Sequence, residues 1–503
     1  MRRADDPDYC VAVVGAGIMG QGIAQVAIMG GIRTLLYDAK EGAAERAREA
    51  VTKRLRRLVE KDRLKSSDVD DMLAGLEIVP KIDGLAPADT VIEAVFEDLD
   101  IKTEVLRSVE ARTSEACIIA SNTSSIPIAA LARNSKKKDR IAGMHFFNPV
   151  PLMKLVEIVR GPETAPEIIE VLSVLARRLG RTPVTVKDAP GFLVNMGGRA
   201  YTTEGLRIAH EGVASPAEID AIMRDCCHFP MGPFELMDLT GIDVNFPVTQ
   251  IVYDGYMQDP RIKTSPLHRQ LFDAGHFGRK TGQGHYRYDA SGQMMDPPSP
   301  DFETEASPAA RVSLAEDDPS LRTFCEKLKL TVSESATEGI PILAAPLGDD
   351  CTHIAIRTGA DPKRLVGIDL TGDHARRVTL MTPPGSDPAI LAAVAAAVRA
   401  SGRKATVIKD SPGFVAQRVR AVIANLGCYM AEVGLAGPSD IDLALKLGLN
   451  YPLGPLEIAE DLGLRTTLLI MTRLQDITGD DRYRPSLWLK RRALLDLPID
   501  VPA

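Results

Sequence analysis

The chain is poor in the features that would assign it to an oxidising compartment, a membrane or a polynucleotide. It has seven cysteines, an odd count with no CxxC pair, and Cys226 and Cys227 are adjacent. That pattern fits ordinary buried thiols in a reducing cytosol rather than a disulfide framework. No group of His and Cys has zinc-ligand spacing, so no metal site is expected. No apolar run is long enough to span a bilayer. The start, MRRADDPDYC, reaches Asp5 and Asp6 without an apolar stretch and does not read as a secretory signal. These absences together point to a cytoplasmic protein with no membrane partner. Positive charge is not in excess either: the formal net charge is −8, which argues against general nucleic-acid binding.

At 503 residues the chain is too long for one hydrophobic core, and three or four domains are expected. The N-terminal end carries the first clear signal. An apolar run from Tyr9 to Val14 leads into Gly15-Ala-Gly17-Ile18-Met19-Gly20 and then into the helix-like QGIAQVAIMG. Glycines between a strand and a helix are the context a dinucleotide-binding turn requires. Gly15 permits the tight turn, Gly17 lets a pyrophosphate approach the backbone, and Gly20 allows helix to pack on strand. The residues at the helix start, Ile18 and Met19 included, would then face the phosphates. A second strand, Thr34 to Tyr37, ends at Asp38, whose carboxylate suits ribose hydroxyls and repels a 2′-phosphate, so NAD rather than NADP is the expected cofactor.

Further parallel strands are expected at Thr90–Val95 and Cys117–Ser121. The second of these runs into Ser121-Asn-Thr-Ser124-Ser125. Read alone, that polar cluster caps a helix beginning near Ile126. Downstream, IAGMHFF and MKLVEIV flank the turn-forming Asn-Pro-Val-Pro, which predicts strand, turn, strand. Such a reversal brings His145 alongside Glu157, twelve residues later. An imidazole near a carboxylate, on a chain that holds a redox cofactor, is suited to general acid–base chemistry at an alcohol: histidine takes the proton, and the glutamate fixes the ring and favours the imidazolium. A lone histidine before Phe-Phe on an apolar strand is more often a satisfied core residue. The turn, the matched glutamate and the upstream glycines reverse that reading.

The segments GAGIMGQGIA, VIEAVFEDLDIK, SNTSSI, GMHFFNPVPLMKLVE, KDAPGFLVN, FPMGPFELMDLTGIDV and FGRKTGQGHY occur in this order over residues 9–288. Together they resemble the L-3-hydroxyacyl-CoA dehydrogenases of fatty-acid and aromatic-acid catabolism. The tail, with NYPLGPLEI and DDRYRPSLWLKRRALL, is similar to the long bacterial branch of 3-hydroxyadipyl-CoA and 3-hydroxybutyryl-CoA dehydrogenases. The resemblance implies an NAD-dependent (3S)-3-hydroxyacyl-CoA dehydrogenase with His145 as general acid/base, Glu157 as its partner, Ser124 on the substrate's 3-oxygen and Asn195 holding substrate and site geometry. It implies cofactor contacts at Asp38, Glu97, Lys102, Asn148 and Lys280, and a CoA contact at Lys61. A serine that contacts CoA in some relatives is matched here by Arg54. Arg54, Arg57 and Lys61 lie along one side of a predicted basic helix within 40–65, a face suited either to CoA phosphates or simply to solvent.

Residues 179–241 recur at 401–463 with a constant offset of 222: LGRTPVTVKDAPGF matches SGRKATVIKDSPGF, and FPMGPFEL matches YPLGPLEI. Each copy predicts a small helical domain, and Ser215-Pro216 with Glu218 reads as a capped helix start in the first. The stretch before the second copy lacks GxGxxG. Aligning the two ends of its GIDLTGDHARRVTLM with the first half puts Asp369 near the place of His145 and Thr379 at that of Glu157, with His374 present but displaced, while Gln417 stands where Asn195 does. The predicted architecture is therefore an α/β Rossmann domain (1–188), an all-α domain (189–290), a linker (291–310), a degenerate Rossmann-like α/β domain (311–409) and a second copy of the all-α domain (410–503). In two-domain relatives of this type the helical domains pair across a dimer. The fused copy would form an internal pseudo-dimer at high effective concentration, with further homo-oligomerisation open. Two other readings fit these residues: a β-hydroxyacid or sugar dehydrogenase of the 6-phosphogluconate type, and a non-catalytic NAD/CoA-binding relative. The first generally uses an interdomain lysine, whereas the helix opening at Gly191 carries Asn195 and no lysine in its following turns.

Overall fold

A computed structural model describes residues 1–334 and 339–501. They divide into two compact units, Met1–Met196 with Gly434–Leu449, and Gly197–Val433 with Asn450–Ala503. The first unit is built on an eight-stranded sheet. Its strands are β1 (Cys10–Val14), β2 (Arg33–Tyr37), β3 (Leu76–Ile78), β4 (Thr90–Glu93), β5 (Ile118–Ser121), β6 (Ile141–Phe146), β7 (Leu155–Arg160) and β8 (Thr182–Lys187). Their order is β3-β2-β1-β4-β5-β6-β7-β8, parallel except where β6 meets β7. The sequence CVAVV of β1 is buried at all five positions, as a central strand covered on both faces must be. Helix Ile18–Met29 packs Ile23, Ala24, Val26 and Ala27 into the same core as Val11, Val13 and Leu36.

The predicted strand–turn–strand forms as read, and β6 and β7 pair antiparallel with His145 opposite Glu157. The expected strand at Thr90–Val95 is shorter and ends at Glu93, because Val95 N donates to the Glu93 side chain instead of continuing the ladder. The basic segment 40–65 forms helix Ala43–Glu60.

The second unit contains a small hairpin of β9 (Arg287–Tyr288) and β10 (Met294–Met295), and a six-stranded sheet. That sheet comprises β11 (Arg311–Leu314), β12 (Thr331–Val332), β13 (Ile342–Ala344), β14 (Leu365–Ile368), β15 (Arg377–Thr382) and β16 (Lys404–Lys409), in the order β12-β11-β13-β14-β15-β16. Only β14 and β15 run antiparallel. The unit also holds helices of both repeated copies, and helix Ala416–Glu432 packs against helix Arg199–His210. Between them Glu204 is wholly enclosed: Arg418 Nε and Arg482 Nε each donate to it at 2.8 Å, and Tyr483 Oη donates at 2.8 Å. The first helical copy is thus covered from within the chain. The capping box at Ser215 and Glu218 is present.

Two expectations about organisation change. Residues 291–310, read as a linker, are strapped to the second sheet: Phe302 N donates to Ala405 O at 2.7 Å, and Arg377 pairs with Asp301. The edge strand β16 offers unpaired backbone groups that the segment satisfies. Residues 434–449, read as part of the second helical domain, belong to the first compact unit. There Lys187 N donates to Leu435 O at 2.9 Å, and in the second unit Lys409 N donates to Val213 O at 3.0 Å. Both pairs of residues are related by the offset of 222, so each β8-type strand end is bonded to the helical copy of the opposite half.

Candidate active site

The glycine-rich turn has the shape its residues predict. A Cβ on Gly15, at φ +104°, would sit 2.6 Å from the Ala94 carbonyl oxygen, and one on Gly20 would sit 1.8 Å from the Gly15 carbonyl oxygen, while nothing lies over Gly17. Gly17 and Ile18 are exposed at the start of helix Ile18–Met29, and Met19 is half-buried. The open space lies over free backbone N–H groups at the positive end of a helix, and that is the environment a pyrophosphate requires. Asp38 follows β2 at its carboxyl end, fixed by Ala16 N at 2.7 Å and Lys40 N at 2.8 Å. These residues fit a dinucleotide.

The catalytic candidates are assembled by the first unit. His145 Nδ1 lies 2.6 Å from Glu157 Oε2, and the pair is buried, with His145 6% and Glu157 0% exposed. The other carboxylate oxygen accepts Leu193 N at 3.0 Å and Val194 N at 2.8 Å. Glu157 is therefore held at both oxygens, and a hydrogen bond to Nδ1 leaves Nε2 as the nitrogen able to exchange a proton with a substrate. Those two residues follow the turn Pro190-Gly191-Phe192, with Gly191 at φ 73° and Phe192 at φ 49°. Asn195, one residue further, directs Nδ2 toward Ser124 O at 3.5 Å. The imidazole is flanked by the rings of Phe147 at 4.5 Å and Phe192 at 5.9 Å.

The Ser-Asn-Thr-Ser-Ser segment does not cap a helix at Ile126, as its composition alone suggests. The helix begins at Ile128 and is capped by Asp188, which accepts Ile128 N at 2.9 Å and Ala129 N at 2.8 Å. The polar cluster instead closes on Glu97. Its Oε1 accepts Thr123 Oγ1 at 2.7 Å, Ser124 N at 2.9 Å and Ser125 N at 3.1 Å, and Ser124 Oγ lies 3.3 Å away. Burial works against that charge, but hydrogen bonds from Thr123 and the nearby Lys102 hold the Glu97 carboxyl below its ordinary range.

Lys102 is fully buried. Its ammonium is 2.8 Å from Glu93 Oε1 and 3.3 Å from Glu97 Oε2, so it lies between the two carboxylates. Glu93 escaped the sequence reading. It also accepts Ser121 Oγ at 2.6 Å, and its signal was available: a carboxylate at the end of the apolar run TVIE. Asn122 was missed too, and its Oδ1 accepts Phe146 N at 2.8 Å, tying this loop to the strand that carries His145.

Arg54 Nε donates to Gln25 Oε1 at 2.8 Å and Nη1 to Gln21 Oε1 at 3.2 Å, and burial pushes the guanidinium down from its ordinary value. With Arg57, Arg63, Asn148 and Leu152 it lines a cavity of about 500 Å³. Lys61 is exposed just after helix Ala43–Glu60. Lys280 belongs to the second unit, where its ammonium pairs with Asp243 at 2.5 Å.

At the corresponding place in the second sheet, Asp369 N donates to Thr379 O, and Gly367 pairs with Met381 where Gly143 pairs with Val159. Asp369 and Thr379 therefore occupy the positions of His145 and Glu157. Gln417 Nε2 donates to Asp369 Oδ1 and to Pro346 O, both at 3.0 Å, which leaves a sealed polar cluster with no imidazole. Nearby, Asp349, Asp350 and His353 gather at a helix start, but Asp350 caps that helix and Asp349 pairs with Arg357 and Arg473. No helix among the described residues is long and apolar enough to cross a membrane.

Comparison with known proteins agrees with this geometry. Residues 10–189 match the family model of the 3-hydroxyacyl-CoA dehydrogenase NAD binding domain, and residues 191–288 and 413–496 match that of the 3-hydroxyacyl-CoA dehydrogenase C-terminal domain. The chain is 36% identical to the 3-hydroxyadipyl-CoA dehydrogenase of Escherichia coli, over 97% of this chain and 98% of that one. A probable 3-hydroxybutyryl-CoA dehydrogenase of Deinococcus radiodurans is 38% identical over 55% of this chain and 99% of its own length. The solved structure of 3-hydroxybutyryl-CoA dehydrogenase from Escherichia coli K12 superposes with a TM-score of 0.86 at 34% identity, covering 97% of this chain and 98% of that one. A glycine cradle that fits a dinucleotide, a buried His–Glu pair and a duplicated helical domain thus have one common explanation: the chain belongs to the 3-hydroxyacyl-CoA dehydrogenase family, NAD-dependent oxidoreductases.

Proposed function

We propose that the chain oxidises (3S)-3-hydroxyacyl-CoA thioesters, 3-hydroxyadipyl-CoA or 3-hydroxybutyryl-CoA among them, with His145 as the general acid/base. The observation that carries this reading is the buried His145–Glu157 hydrogen bond, in which both carboxylate oxygens are engaged. Bound NAD supplies the hydride acceptor. Gly15, Gly17, Gly20, Ile18 and Met19 would hold its phosphates, with Asp38 on a ribose. Glu97 and Asn148 complete the cofactor side, Lys102 acts through Glu97, and Lys280 is carried over by resemblance.

His145 Nε2 takes the proton of the 3-hydroxyl, and Glu157 stabilises the imidazolium as it forms. Ser124, held through its backbone N–H by Glu97, turns its hydroxyl from that carboxylate to donate to the 3-oxygen, and Asn195 fixes the loop that presents it. Arg54 and Lys61 are the groups proposed to meet the CoA moiety, through charge-assisted hydrogen bonds to its phosphates. The free, buried state of all seven cysteines supports a cytoplasmic setting. The internal pairing of the two helical copies serves as the pseudo-dimer, with self-association of whole chains open to measurement.

The test is NADH formation with (S)-3-hydroxybutyryl-CoA and 3-hydroxyadipyl-CoA supplied separately. Turnover of at least one is expected, and the ratio of their kcat/KM values assigns the acyl group. Activity on sugar or free β-hydroxy acids with none on either thioester would overturn the reading.

A further inference from the structure

We infer that helix Pro438–Leu449, contributed by the second repeated copy, positions the His145–Glu157 pair, and that Gly448 is the residue through which it does so. The inference rests on the acid/base reading above. The helix presents Ile441, Ala444, Leu445 and Gly448 at i, i+3, i+4 and i+7, a single stripe, and it packs against β7 and β8. Where a larger side chain would be expected on that stripe there is only hydrogen. A Cβ at Gly448 would lie 3.1 Å from Leu155 Cδ2 and 3.1 Å from both Cγ atoms of Val194.

Those two neighbours flank the catalytic carboxylate. Leu155 stands two residues before Glu157 on β7, so their side chains share one face of the strand. Val194 is one of the two residues whose backbone N–H holds Glu157 Oε1. Any group that displaces Leu155 and Val194 therefore moves the carboxylate from two sides, and the imidazole bonded to it moves as well.

The repeat offers an internal comparison. Cys226 occupies the position 222 residues before Gly448, and Arg377 the position 222 after Leu155. There the side chain is accommodated, with Cys226 Sγ 3.6 Å from Arg377 O. A side chain is present at this point of contact in the half whose strand pair carries Asp369 and Thr379, and absent in the half that must hold a glutamate against a histidine.

Gly448→Val in the full-length chain tests this through the Nδ1 proton of His145, assigned with selectively ¹⁵N-labelled histidine and its loss in His145→Gln. The proton sits in a short hydrogen bond to Glu157, so its resonance reports the pair without requiring turnover. Gly448→Val is expected to displace or broaden it and to lower kcat by about 10–100-fold, the scale of a small misplacement of catalytic groups. The KM for NAD should stay within about twofold of the original, as expected when ground-state cofactor binding is untouched. Gly448→Ala should shift the resonance less and in the same direction, although alanine favours the helix more than glycine does, and it decides the matter if the valine variant does not fold. Gly437→Ala, whose added carbon meets nothing within 4 Å, is the control in the same segment and should change neither readout.

An unmoved resonance in a folded Gly448 variant would overturn the inference, whether or not the melting temperature falls. Because that readout does not depend on the acyl group, it decides on Gly448 even if the substrate assignment fails.

Discussion

The two halves of the chain differ most where chemistry is done and least where the fold is held. Asp188 and Asp410, 222 residues apart, each spend both carboxylate oxygens on the first two backbone N–H groups of a helix, at Ile128–Ala129 and Cys351–Thr352. Gly191-Phe192 and Gly413-Phe414 adopt the same left-handed turn, with φ of 73° and 49° against 73° and 50°. The unusual backbone at Phe192 thus belongs to the scaffold and not to catalysis, since the second half keeps it without an imidazole. Among the described residues the second half has no counterpart of the His–Glu pair and its sheet has six strands against eight, and its sequence lacks the glycine turn. Backbone hydrogen bonds must be satisfied in both halves, whereas a proton relay is needed in only one.

The largest effect is expected from His145→Gln. It should lower turnover by about 10²–10⁴-fold, or roughly 2.7–5.5 kcal/mol of barrier, with cofactor binding nearly intact. Near-normal turnover would place the chemistry elsewhere.

A comparable effect on stability, confined to the second unit, is expected from Glu204→Gln. Burial alone would raise the Glu204 carboxyl, but Arg418 and Arg482 outweigh it and hold it at about 2 against an ordinary 4.5. Its folded form keeps its charge to lower pH than the unfolded chain does. The stabilisation is therefore complete above about pH 4.5 and is lost as the pH falls through about 2. Glu204→Gln leaves two buried guanidiniums facing a neutral amide and should cost about 3–5 kcal/mol at neutral pH. Acid titration followed by near-ultraviolet circular dichroism should show that the variant has lost this acid-dependent step. An unchanged acid transition would show that the network contributes nothing.

The two helix caps separate the halves most directly. Asp188→Ala and Asp410→Ala should each cost about 0.5–2 kcal/mol, the usual worth of a helix cap. Only Asp188→Ala should also lower turnover, because the helix it caps follows the loop carrying Ser124. Equal losses of activity in both variants would mean that the second half shares in the chemistry.

Much of this was legible in the residues. Glycines between an apolar run and a helical pattern, an acidic residue at the next strand end, and two apolar runs around Asn-Pro-Val-Pro are local signals, and all became the elements they predicted. The correspondence of Asp369 with His145 was legible as well, although it lies 224 residues on rather than 222, because the apolar runs on either side of a turn two residues shorter keep the strand pair in register. The segment around Ser124 was not. Its side chains satisfy Glu97, 27 residues away from Ser124, and the cap of the following helix comes from Asp188, 60 residues downstream of Ile128. Composition cannot choose between equivalent oxygen acceptors at such separations. The Glu204 network was equally hidden, since the positions related to Glu204 and Arg418 by the repeat are Leu426 and Met196.

By itself the sequence determined that one half holds a dinucleotide, that a histidine and a glutamate face each other across a strand pair, and that a second half repeats the scaffold. These follow from period, turn chemistry and register, which act over a few residues at a time. Tertiary structure alone decided that residues 434–449 join the first unit, that Glu157 is gripped by Leu193 and Val194, and that Gly448 lies against that grip. Those are matters of which surfaces meet, and close packing settles them between side chains that the linear order keeps hundreds of residues apart.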